Sequence, residues 1–250
     1  NDNSEDNSVE IIENLLADSS IDFSVLNSSV YSLSSKKEAL TLGVKKAKHD
    51  WIMTTDADCF LPKNWLLTFN DLILEKQPEM VVAPVSYIAN STFLEQFQLL
   101  DFLSLQSATS AGFGNQKPFL CNGANLAYKK QLFIDLNGFN SNMNIASGDD
   151  IFLMQKAIKQ NKKIAYLNSE KALVYTTPVN SFKALFHQRV RWASKSSHYK
   201  SAIPLFVGFA IFLMNSLVVT LTISTLLNLT PLDFPLSILF FKMVIDFILI

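Results

Sequence analysis

The chain has 250 residues, 49% of them hydrophobic and 17% charged, enough to bury a full core as one large domain or one domain with an appendage. The net charge of -1 says little about partners, and no nucleic-acid partner is expected. Two cysteines, Cys59 and Cys121, are too few for a disulfide scaffold or a four-ligand zinc site and read as reduced thiols.

The first stretch, "NDNSED", carries neither a Met nor a signal-peptide pattern, and the last, "LSILFFKMVIDFILI", is an apolar run. Both ends are expected to be cut, with a first strand, an N-terminal anchor or further membrane helices outside the fragment. Val9, Ile12, Leu15 and Leu16 have helical spacing, and Phe23 to Leu26 is a short strand candidate. Ala39, Leu40, Gly43, Val44 and Ala47 are helical again, and Trp51 to Thr55 reads as a buried strand. Pro62 sits where a helix would begin, with Trp65, Phe69, Leu72 and Ile73 on one face. Met80 to Ile88 is the next strand. This alternation predicts an α/β fold of βαβ units, a mostly parallel sheet with helices on both faces.

Three short stretches carry chemistry. "TTDADC" ends the Trp51 strand, and in an open parallel sheet ligands bind beyond the carboxyl ends of strands. Asp56 and Asp58 flank one small residue and can offer oxygens to one hard cation, Mg²⁺ or Mn²⁺, that bridges to phosphate. A solvated turn is the alternative. No glycine loop of the GxGxxG or GxxxxGK[ST] kind is present, so bound phosphate would rely on metal and cationic side chains. In "ASGDDIFLMQKAI", Ser147 and Gly148 suit an N-cap, placing Asp149 and Asp150 in a first helical turn. Acids there stabilise the helix on their own account, and the position also favours the ionised form that a general base needs. In "FHQRVRWASK", Gln188, Arg191 and Trp192 share one helical face while Arg189 points elsewhere. The arginine fork suits phosphate and the indole suits a sugar ring or a lipid boundary, whereas a basic helix lying on a membrane surface is the other reading.

No Asp or Glu occurs from Lys171 to Leu232, while Lys183, Arg189, Arg191, Lys195 and Lys200 form a basic collar before a long apolar stretch. Ala202 to about Leu227 is long enough to cross a hydrocarbon core, and Leu236 to Ile250 begins a second span with Lys242 and Asp246. The collar predicts an integral membrane protein whose globular part is cytoplasmic.

DxD ("DAD"), an acidic pair at a helix start ("GDD"), QxxRW ("QRVRW") and membrane helices, in that order, resemble the membrane-bound family 2 glycosyltransferases of GT-A type. That group includes cellulose, chitin and hyaluronan synthases and ceramide glucosyltransferase. The resemblance covers nearly the whole chain: "NDNSED" resembles the family's acidic turn, "KKEALTLG" its nucleotide-site lysine segment and "CNGANLAYKK" its acceptor-side strand. It implies a GT-A catalytic domain over residues 1–180 lacking its first strand, a basic interfacial helix over 181–200, a transmembrane helix over 202–227 and the start of another over 235–250. It implies that Asp56, Asp2 and Lys36 bind the nucleotide sugar, with Lys37 an equally available neighbour of Lys36, and that Asp58 holds Mg²⁺ or Mn²⁺. It further implies that Asp150 is the base with Asp149 beside it, and that Gln188, Arg191 and Trp192 line the diphosphate and acceptor end. Asn122, Gly123 and Ala124 would border the acceptor.

The activity so implied is inverting transfer from a nucleotide-diphosphate sugar, UDP-linked by expectation, to a hydroxyl of a lipid or glycan at the cytoplasmic membrane face. A non-processive transferase acting on a lipid carrier and a catalytically inactive, membrane-anchored binding or assembly protein are the alternatives. The helical stretch carrying Phe93, Phe97, Leu100 and Ser104 on one face reads either as core or as a surface against the bilayer.

Overall fold

The computed structural model describes residue 1 and residues 6–27, 35–90, 92–140, 147–196 and 202–249. Helices α1 (Ser8–Leu16) and α2 (Ser35–Lys46) precede strand β1 (Trp51–Thr54), and α3 (Trp65–Lys76) leads into β2 (Met80–Val82) and β3 (Val85–Tyr87). The long α4 (Phe93–Gly114) is followed by β4 (Leu126–Lys129), α5 (Lys130–Asp135) and α6 (Asp149–Lys159). Then come β5 (Ile164–Tyr166), β6 (Val174–Thr176), α7 (Phe182–Ser196), α8 (Ala202–Leu226) and α9 (Asp233–Leu249).

Most helices fall where the apolar spacing puts them. Trp65, Phe69 and Leu72 form the buried stripe of α3, and each fully buried side chain of this size contributes about 1.5–3 kcal/mol. Pro62 stands in the turn before that helix, its carbonyl accepting from Trp65 N at 3.0 Å, rather than at its first position. Two expectations fail locally. Phe23 to Leu26 pairs with no strand among the described residues. Met80 to Ile88 is two strands in two sheets, because Pro84 has no N–H to continue a ladder and the chain changes sheet there.

The expected mostly parallel sheet is mixed. The four-stranded sheet has the order β1-β4-β2-β5, with β4 antiparallel to both neighbours and only β2–β5 parallel. A second, two-stranded sheet pairs β3 and β6 in parallel. The short 3₁₀ turn Gly123–Asn125 leads directly into β4, which lies between β1 and β2. Helices do cover both faces: Met80 and Val82 pack into a cluster with Leu132, Phe133, Leu153 and Met154, while Val81 between them faces Phe69 and Trp65. A fully buried Asn125 ties three segments, accepting from Trp65 Nε1 at 2.9 Å and donating to the carbonyls of Pro84 and Ala172 at 2.7 Å each.

Helix α4 starts on Thr92, whose hydroxyl accepts from Glu95 N. Its Gln98, fully buried, donates to the Val179 carbonyl at 2.8 Å and accepts from Val179 N at 3.1 Å, fastening the loop that enters α7. Phe93, Phe97 and Leu100 on its other side are exposed. Helices α8 and α9 pack against each other. Leu205–Leu226 has a mean hydropathy of 2.2 and is the one helix among the described residues long and apolar enough to cross a membrane.

Candidate functional site

A cavity of about 710 Å³ opens beyond the carboxyl end of β1, and all three motifs contribute to its walls. Asp56 and Asp58 come from the loop after β1, Asp149 and Asp150 from the first turn of α6, and Gln188, Arg191 and Trp192 from α7. Lys36, Asn122, Gly123 and Ala124 complete the set expected from sequence, while Asp2 lies outside the described residues.

Local backbone chemistry positions these groups. Gly148 is the N-cap of α6 in the left-handed region at φ +85°, where a Cβ would stand 2.7 Å from the Phe152 ring. Only glycine takes that turn without strain, so the glycine of GDD aims the two acids. Asp150 is then held by two backbone donors, with Oδ2 accepting from Gly123 N at 2.9 Å and Oδ1 from Ile151 N at 2.7 Å. Gly123 in turn accepts from Thr54 Oγ1 at 2.6 Å through its carbonyl, which fixes the Asn122–Gly123 segment to the end of β1.

Lys36 and Lys37 part company. Lys37 is 1% exposed, with its ammonium over the Phe152 ring, whereas Lys36 reaches into the cavity. Lys36 Nζ lies 2.9 Å from Asp56 Oδ1 and 3.8 Å from Asp149 Oδ2. Burial alone would lower the Lys36 pKa; the carboxylates of Asp149, Asp56 and Asp150 outweigh it and hold the ammonium above its ordinary range.

On the opposite wall, Arg189 lies outside the cavity lining, as its helical position predicts, but it is not idle. Its Nη2 is 2.5 Å from Asp101 Oδ2 of α4, an ion pair without hydrogen-bond alignment, and its guanidinium sits 4.4 Å from the Trp192 ring. The basic collar is therefore partly spent: Arg189 faces α4 and Arg191 the cavity, while Lys183 stays exposed. The Lys195 side chain and Lys200 lie outside the described residues. Gln188 contacts Tyr87, and its own carbonyl oxygen is buried without a hydrogen-bond partner among the described residues. Burial pushes the Tyr87 phenol up against the downward pull of Arg189 and Gln188, leaving it a neutral hydroxyl at physiological pH.

Tyr87, Gln106, Thr109, Thr176 and Thr177 also line the cavity and were not singled out by sequence. Tyr87 ends β3 and Thr176 ends β6, so both stand, as Asp56 does, at the carboxyl end of a strand, but β6 carries no strand expectation from sequence and the Met80–Ile88 run hides the end of β3. Among the described residues no group of three or more His, Cys, Asp or Glu side chains is gathered for a metal.

The profile of glycosyl transferase family group 2 matches residues 51–249. No curated protein matches the chain. Among solved structures, S. aureus TarS 1-349 in complex with UDP-GlcNAc is 17% identical with a TM-score of 0.47, the match covering 71% of this chain and 48% of that one. The longer S. aureus TarS structure is also 17% identical, with a TM-score of 0.49 and 78% and 33% covered. The chain thus spans about half or less of these solved chains, and the likeness is distant. With the family profile covering β1 through α9, the chain belongs to glycosyl transferase family group 2.

Proposed function

We propose that the chain transfers a sugar from a nucleotide-diphosphate sugar, with uridine the expected nucleoside, to a hydroxyl of a lipid or glycan acceptor with inversion at the anomeric carbon. The observation that carries this reading is the convergence of DxD, GDD and QxxRW side chains on one cavity. Asp150 accepts the proton of the acceptor hydroxyl while that oxygen attacks the anomeric carbon, the bond to the diphosphate breaks on the opposite side, and its electrons leave with the nucleoside diphosphate. Arg191 meets the charge that develops on the leaving group. Trp192 offers its ring to the acceptor, and the unpartnered Gln188 oxygen is ready for a ligand hydroxyl.

One or two carboxylates plus substrate phosphates are a usual donor set for Mg²⁺ or Mn²⁺, so Asp58, with Asp56 beside it, fits such an ion. A bound divalent ion would supply charge neutralisation to the diphosphate. We further infer that the protein is anchored by α8, 25 residues or roughly 37 Å long, with the catalytic domain on the cytoplasmic side. The exposed Phe182, Phe186 and Val190 on the outer side of α7 support a helix lying at the bilayer surface.

The deciding experiment incubates membranes containing the full-length protein with a panel of nucleotide sugars and identifies products by mass spectrometry. A sugar added to a lipid or glycan is expected. Nucleotide binding without any transfer would favour the inactive scaffold instead.

A further inference from the structure

Lys36 sets its ammonium against carboxylates that a divalent ion would otherwise be free to use. Its ammonium touches Asp56 of the DxD loop and approaches Asp149 of the GDD turn, so it joins two of the three motifs across the cavity. With Asp56 engaged, Asp58 is the DxD acid that remains for a metal, and no group of three acidic, His or Cys ligands exists among the described residues. A hard cation such as Mg²⁺ is poorly held by one carboxylate and water alone.

We propose that Lys36 is an internal counter-cation: it excludes a divalent ion from the nucleotide-free site and moves from Asp56 and Asp149 to the diphosphate when the donor arrives, so that metal and nucleotide enter together. This rests on the nucleotide-sugar reading above. The lysine is suited to the exchange, because an ammonium is a compact charge on a flexible stem whose three donors accept carboxylate or phosphate oxygens alike. Its Cα is nevertheless fixed, since the next residue, Lys37, is buried against Phe152 and anchors the first turn of α2. Half of the Lys36 side chain is exposed, 51%, so its flexible stem can change rotamer without displacing packed neighbours. Once it does, Asp56 is released beside Asp58, and the diphosphate supplies the remaining oxygens.

The test is Mn²⁺ binding to the detergent-solubilised full chain, followed by calorimetry with and without saturating UDP. Wild type is expected to bind Mn²⁺ weakly alone and much more tightly with UDP. Removing the competing charge in Lys36→Met, or in Lys36→Gln as a second variant, should tighten nucleotide-free Mn²⁺ binding about tenfold or more. Lys36→Arg, which keeps the charge, should resemble wild type. The gain should vanish in Lys36→Met combined with Asp58→Asn, and the enhancement by UDP should be smaller in Lys36→Met than in wild type. Nucleotide-free affinity within twofold of wild type in both neutral variants, with folding verified by melting, overturns the proposal. So does a gain that survives Asp58→Asn. Absence of UDP binding in every protein would instead sink the nucleotide-sugar reading, while the nucleotide-free comparison still decides the role of Lys36.

Discussion

Replacing Asp150 by Asn separates the chemistry from the scaffold, and the structure sets both magnitudes. Each carboxylate oxygen of Asp150 accepts from one backbone N–H, Gly123 at 2.9 Å and Ile151 at 2.7 Å. An asparagine has a single acceptor oxygen, so its NH₂ must face one of those donors. Leaving one such N–H without its acceptor costs about 1–3 kcal/mol. For a chain of this size that lowers the melting temperature by ~2–12 °C. A domain of ordinary stability, about 5–15 kcal/mol, stays folded at assay temperature. Loss of the proton acceptor, by contrast, should cut transfer by roughly 10² to 10⁴. That corresponds to about 3–5 kcal/mol of barrier. The two effects therefore read out separately, as a melting shift of the solubilised protein and as sugar transfer in membranes at a temperature well below either midpoint. Asp149→Asn is the comparison, because Asp149 approaches Lys36 at 3.8 Å across the cavity. Near-full turnover in Asp150→Asn with a verified fold, together with collapse in Asp149→Asn, would refute the assignment and make Asp149 the base.

Chelation should abolish transfer and added Mg²⁺ or Mn²⁺ should restore it; full turnover in excess chelator would remove the metal role given to Asp58. Asn125→Ala strands Trp65 Nε1 and the carbonyls of Pro84 and Ala172 inside the core, a loss of ~3–5 kcal/mol measurable as an early thermal transition in tryptophan fluorescence. Gly148→Ala forces a side chain into the left-handed region and a Cβ to 2.7 Å from the Phe152 ring, so ~2–4 kcal/mol of stability should go, along with transfer. A Gly148→Ala protein with wild-type melting and turnover would mean the GDD turn is not what aims the acids.

The sequence carried the helices and the motif residues further than it carried the sheet. Amphipathic spacing marks which face of α3 is buried, and the positions of DxD, GDD and QxxRW depend on element ends, which local chemistry signals. Strand direction leaves no such mark: "LAYK" of β4 pairs antiparallel with β1 and β2, yet its own residues would suit a parallel neighbour equally. Pro84 was a visible break, but one apolar run from Met80 to Ile88 hid the change of sheet. The choice between Lys36 and Lys37 was undecidable from two adjacent lysines, because it turns on which side of α2 meets Phe152, a residue more than a hundred positions away. Arg189 looked uninvolved for the same reason: its partner Asp101 belongs to another helix.

The Gln98 side chain imitates a strand. By both donating to and accepting from the Val179 peptide it makes the pair of bonds that a neighbouring backbone would make, but from a helix. Together with the Asp101–Arg189 pair between α4 and α7, it ties α4 both to the Thr177–Val179 loop and to α7. That wall of the cavity then behaves as an anvil. An adjustment to a ligand is then expected on the other side, where α2 offers a half-exposed lysine side chain, so its amplitude would be set by the reach of that side chain.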